Sequence, residues 1–184
     1  MSAVLCWQMV APWMPLLASP LLRLTHHAWV NTVHGAVLGG LFLALLALSL
    51  VALAQLRAPG LTETGQRRAS VWLTRLLIAS AVAGWVAVLT GSFVVDHWFS
   101  TGGASAAAVL RAHGDALWAS GVLRTKEVAS WASAAVASAA VAFWLRGGLA
   151  RRARWTGLLL GAALLLGVGG GALGVLLTKL APLQ

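Results

Sequence analysis

The side chains able to ligate a metal, hold a haem or move a proton are few in this 184-residue sequence: five histidines, four acids and one cysteine. The histidines are His26, His27, His34, His97 and His113, and the acids are Glu63, Asp96, Asp115 and Glu127. Neutral imidazole with carboxylate suits zinc, copper or iron, which makes His26, His27, Asp96 and His97 a candidate metal set. Adjacent side chains on a helix diverge by about 100°, so neither His26 with His27 nor Asp96 with His97 can share one ion unless the backbone there is extended or turning. Interfacial residues at span ends, where polar groups meet headgroups and water, are the preferred reading of the same set. Cys6 is alone, so there is neither an intramolecular disulfide nor a thiolate cage, and no Cys-x-x-Cys-His sequence attaches haem covalently.

A b-type haem held between helices is the sharper alternative, with His34 as one axial ligand and His97 or His113 as the other. Depth argues against it. His34 falls about four residues inside the first apolar run and His97 about two beyond the second, a mismatch of roughly 9 Å along a membrane normal at 1.5 Å per residue. Haem b is therefore not the favoured cofactor. The sequence offers no nucleophile paired with a base, no phosphate loop and no paired catalytic carboxylates, so the isolated chain does not read as an enzyme. Proton pumps and ion-coupled transporters place ionisable groups deep in their spans, and none occurs in the middle of an apolar run here.

The elements that must position these residues follow from composition. Hydrophobic residues make up 60% of the chain and charged residues 9%, whereas roughly a quarter of an ordinary soluble domain is charged. Four stretches are long and apolar enough to cross a bilayer: about 30–54, 70–95, 127–145 and 156–178. The expected fold is all-α, an integral membrane four-helix bundle over residues 30–184, with an interfacial N-terminal segment (1–29) and a partly helical outer loop. Pro12, Pro15 and Pro20 interrupt a regular helix in the apolar opening, and Trp7 and Trp13 suit the headgroup boundary. A fifth span is the alternative reading of that segment.

Basic residues exceed acids by 13 − 4 = 9. They fall between the apolar runs and form no single patch, which argues against nucleic acid as a partner. Arg57, Arg67, Arg68 and Arg75 surround the first connection, and Arg146, Arg151, Arg152 and Arg154 the third. By the positive-inside rule both face the cytoplasm of a bacterial inner membrane, leaving both termini periplasmic. All five histidines then share the outer face with Asp96, Asp115, Lys126 and Glu127.

Spans associate through close backbone approach, for which Gly35, Gly39, Gly84, Gly91, Gly167, Gly171 and Gly174 are candidates, with a ridge of Ser130, Ala134, Ser138 and Ala142 on the third span. Residues 104–123 carry enough Ala and Leu for a surface helix in the outer loop, either a docking site for an extramembrane subunit or a solvated cap over the bundle. The partners expected are the lipid bilayer and other membrane subunits.

Three segments carry a resemblance: LTGSFVVDHWF at 89–99, RTKEVASW at 124–131 and GVLLTKLAP at 174–182. Their order resembles an uncharacterised family of small bacterial four-transmembrane-helix proteins, over most of residues 30–182. In that family a Thr-Gly stretch ends the second helix, a Lys-Glu pair opens the third, and a basic residue with Ala-Pro closes the fourth. This chain has Asp96-His97-Trp98-Phe99 where the family has Tyr-rich residues with Pro, and Val128 where a His follows the Lys-Glu pair. The resemblance implies the same fold and a respiratory or redox setting. The function expected is an anchor or accessory subunit of a larger redox membrane complex. A small haem- or quinone-binding electron carrier is the runner-up, and a metal-handling membrane protein the third reading.

Overall fold

The computed structural model describes residues 32–95, 116–146 and 149–180. Among them the chain is helical apart from the 57–62 connection, without strands. A π-helical segment Val33–Gly39 leads into α1 (Gly40–Leu56); α2 (Glu63–Thr90) runs on into a second π-helical segment, Gly91–Val95; α3 is Ala116–Arg146 and α4 is Leu149–Leu180. All four helices are long and apolar enough to cross a membrane.

Each boundary has a local cause. α1 stops where Pro59 and Gly60 follow, and Gly60 has φ +90°, a left-handed conformation that a side chain would strain. α2 starts on Thr62, whose backbone is extended and whose side-chain Oγ1 accepts the Gly65 N–H at 3.2 Å. Such a cap contributes about 1 kcal/mol, and Glu63 in the first turn adds a favourable charge at the positive end of the helix dipole.

The helices are longer than the apolar runs within them. α3 begins at Ala116, so residues 116–123, expected in a separate surface helix, are the first turns of the third helix. No proline separates them from Glu127, and Gly121 alone costs about 1 kcal/mol relative to Ala. α4 begins at Leu149, which puts Arg151, Arg152 and Arg154 on its first turns and not in a connecting loop. Arginine is among the better helix formers, so basic residues at a span end extend the helix readily.

The four helices pack as an up-and-down bundle in which each contacts the next and α4 closes on α1. The register is antiparallel throughout. Between α1 and α2, Phe42 lies against Gly84 and Ser49 against Ser80; between α2 and α3, Trp85 meets Ser138 and Thr74 meets Trp144. Between α3 and α4, Ser130 faces Gly170 and Ser133 donates to the Ala163 carbonyl at 2.6 Å. Leu53 sits against Gly157 to close the ring. The core joins Phe42, Leu46, Leu53, Leu73, Leu77, Leu160 and Trp144 to the small residues Ala137, Ala140 and Ala163.

The outside is as apolar as the inside. Leu165 is 76% exposed and Phe93 69%, and no more than a third of the most apolar stretch of any helix is buried. Helices hydrophobic all round belong in a membrane or inside a larger assembly, because water leaves that surface unsatisfied.

Candidate functional site

At the end of the bundle where α1 begins and α2 finishes, a polar group is built into the helix contact. His34, on the leading π-helical segment, is half-buried, and its Nδ1 lies 3.1 Å from Thr90 Oγ1 at the end of α2. Thr90 also bonds back to the Val86 and Ala87 carbonyls of its own helix. The hydroxyl is therefore held in place for the imidazole.

Gly91 explains how the ring fits. A Cβ at that position would stand 2.7 Å from His34 Cε1 and 2.8 Å from Nε2, so the imidazole edge rests directly on the α2 backbone. Lys126 of α3 is within electrostatic reach of the ring. Its methylene chain packs over Gly174 of α4, where a Cβ would lie 3.4 Å from Cε. Gly170, one turn earlier, admits Ser130 at 3.1 Å from the same ideal position. The two π-helical segments, Val33–Gly39 and Gly91–Val95, flank this cluster, and π turns recur at functional sites because they re-aim a side chain out of the regular ladder.

Of the candidate packing glycines, Gly84 seats Phe42, Gly91 seats His34, Gly167 seats Leu43 and Gly174 seats Lys126. Gly35 and Gly171 face open space, and Gly39 meets nothing but the carbonyl of His34 on its own segment. Gly170, buried against α3, belongs with the packing group.

Other candidates fall elsewhere. His26, His27, Asp96, His97, His113 and Asp115 lie outside the described residues. Among the described residues no three His, Cys, Asp or Glu side chains gather as a metal would require. With Nδ1 engaged by Thr90 and the Nε2 edge seated on Gly91, His34 is built into the helix contact.

Close by, the outer surface between α2 and α3 carries an open groove of about 520 Å³. Its floor is Trp85, Trp131, Ala132 and Ala135, with Arg124, Glu127 and Val128 along the rim. The two indoles meet edge to face at 5.6 Å, and Trp85 Nε1 donates to Ser138 Oγ at 2.9 Å. That bond fixes Trp85 in the helix contact. Such a pair has no signature in the sequence, because Trp85 and Trp131 stand on different helices.

The opposite end is organised around Trp144, 2% exposed, whose Nε1 donates to Thr74 Oγ1 at 2.8 Å. Arg152 on α4 donates to the Trp144 carbonyl at 3.3 Å, satisfying one of the last carbonyls of α3, and its guanidinium lies 5.6 Å from the indole. Arg152 Nε and Thr156 Oγ1, one turn apart, are buried without a hydrogen-bond partner.

Comparison with protein-family models, with curated proteins and with solved structures finds no match.

Proposed function

We propose that this chain is a multi-pass protein of the bacterial cytoplasmic membrane that serves as an anchor or accessory subunit of a larger, electron-transferring complex. The observation that carries the reading is the groove between α2 and α3, which combines an aromatic floor with a paired-sign rim on an otherwise apolar exterior. Tryptophan and arginine are enriched where a second polypeptide docks, and small residues such as Ala132 and Ala135 let a partner helix approach closely. The polar groups inside the bundle are used for helix contacts, as His34 with Thr90 and Ser49 with Ser80 illustrate. The redox part of the reading is supported by the short motifs at 89–99, 124–131 and 174–182.

Extraction at native expression level in mild detergent, followed by mass spectrometry of the intact assembly, tests it. The expected result is a stoichiometric membrane partner carrying a redox cofactor, released when Trp131→Ala removes half of the groove floor. A chain that migrates alone sinks the proposal. The positive-inside rule supports an orientation with the 57–62 and 146–149 connections in the cytoplasm and both termini in the periplasm, since basic residues gather at the start of α2 and of α4. A reporter fused at Gln184 that proves cytoplasmic overturns this orientation.

A second reading, a haem- or quinone-binding carrier near the outer face, is favoured by one observation: His34 lies on one π-helical segment and packs against Thr90 and Gly91, where the second begins. A reduced-minus-oxidised spectrum of the purified chain without a Soret or alpha-band change eliminates its haem form.

A further inference from the structure

We infer that the start of α2 is a binding site for the headgroup of an anionic phospholipid, an inference that rests on membrane insertion but not on any partner subunit. Arg67, Arg68, Val71 and Trp72 line a shallow pocket of about 230 Å³ on the outward face of α2. Arg75, one turn further on, lies with its guanidinium 5.6 Å from the Trp72 ring. All five side chains are exposed, and among the described residues none of the three arginines makes an ion pair. Three cations thus share one face of α2 with no ion pair among the described residues, the nearest acid along the helix being Glu63 in its first turn.

What continues from the pocket is a lipid-facing stripe. Val71, Ile78, Val82, Val86 and Leu89 follow one another at helical spacing, each between 42% and 58% exposed. Charge, then an indole, then a continuous apolar ridge is the order in which a bilayer presents phosphate, glycerol boundary and acyl chain. Arginine's planar fork matches two oxygens of a phosphodiester, which a zwitterionic headgroup masks with its own ammonium. The α2 N-terminus adds a positive dipole end to the same place. Eight of the thirteen basic residues, Arg57, Arg67, Arg68, Arg75, Arg146, Arg151, Arg152 and Arg154, lie at or beside this end of the helices, so the wider field draws anionic lipid toward it.

The test uses the full chain in nanodiscs of equal phosphatidylglycerol and phosphatidylethanolamine, released for native mass spectrometry. The wild type is expected to retain phosphatidylglycerol selectively. Each arginine near a membrane surface contributes about fivefold, so Arg67→Gln with Arg68→Gln is expected to cut the selectivity roughly 25-fold. Arg154→Gln, an exposed arginine on α4 at the same end but outside the pocket, removes only its share of the wider field and is expected to cut the selectivity less than Arg67→Gln or Arg68→Gln alone; an equal loss overturns the pocket in favour of a diffuse field. Retention of phosphatidylglycerol by the double variant at wild-type level overturns the site while leaving membrane insertion intact. Loss of the chain from the membrane in alkaline carbonate overturns both. Thermal stabilisation in detergent by inorganic phosphate equal to that by phosphatidylglycerol overturns the lipid assignment, because the apolar ridge would then contribute nothing. Loss of an acidic polypeptide in the double variant, with lipid retention unchanged, overturns it in favour of protein docking.

Discussion

Trp144→Ala is expected to lower the unfolding free energy of the chain in detergent by about 3–5 kcal/mol, the largest effect of any single truncation in this bundle. Trp144 is the largest fully enclosed side chain among the described residues, packed with Leu46, Leu73, Leu77 and Leu160 in one core. Its removal leaves a cavity that helices constrained on both neighbours cannot close, and the lost dispersion contacts are not restored by lipid. Two secondary losses add to the void. The Thr74 hydroxyl loses its donor from α3, and the Arg152 guanidinium loses the indole over which it lies. Trp144→Phe separates these contributions, since it keeps most of the volume and deletes the N–H. Thr74 Oγ1 still donates to the Ser70 carbonyl at 2.9 Å in that variant, so nothing polar is orphaned and the cost falls to about 1 kcal/mol. Titration with a denaturing detergent, followed by circular dichroism, measures both. A Trp144→Ala loss no greater than that of Trp144→Phe contradicts the packing argument.

How much of this was legible beforehand differs by element. The four apolar runs were evident because a spanning helix has no way to hide twenty consecutive hydrophobic residues. Their ends were less so. Hydropathy marks the apolar middle of a helix, while α2 and α4 extend through Arg67, Arg68, Arg152 and Arg154, where backbone hydrogen bonding continues after hydropathy has fallen. The Pro59-Gly60 break and the Thr62 cap bound the α1–α2 connection more closely than hydropathy does. Glycine spacing named Gly84 and Gly167 among the packing positions but gave no direction: Gly167 enters the bundle and Gly171, one turn later, faces out. A helix apolar on every side has no polar face from which to infer its buried one. Trp144 escaped notice for a related reason, since an indole near a span end ordinarily marks the membrane boundary. Its partner Thr74 lies 70 residues away, a distance no local pattern crosses. His34 was marked by its chemistry, whereas Thr90 and Gly91, which determine what the imidazole can do, carry no such mark.

Gly84→Ala tests whether the inward glycines are sockets for particular side chains or simply small residues in a crowded bundle. A Cβ on Gly84 would stand 2.8 Å from Cε2 of Phe42 and 3.2 Å from two further ring atoms. On the α4 side the space over Gly167 is shared, with the Phe42 ring, Leu43 and Ser133 lying 3.5 Å, 2.8 Å and 3.2 Å from its ideal Cβ position, so the ring has little room to move that way. Phe42 is thus clamped between α2 and α4, and the added methyl is expected to cost about 2 kcal/mol despite the better helix propensity of alanine. Phe42→Leu shortens the occupant of the socket, so Gly84→Ala in that background should cost less than half as much. The double-mutant cycle then gives a coupling of about 1 kcal/mol or more between residues on different helices. Gly171→Ala supplies the contrast, since nothing lies within 4 Å of its ideal Cβ, and it should be neutral or slightly stabilising. Equal effects at Gly84 and Gly171, or additive behaviour of Gly84→Ala with Phe42→Leu, would show that the helices adjust freely and that no socket exists.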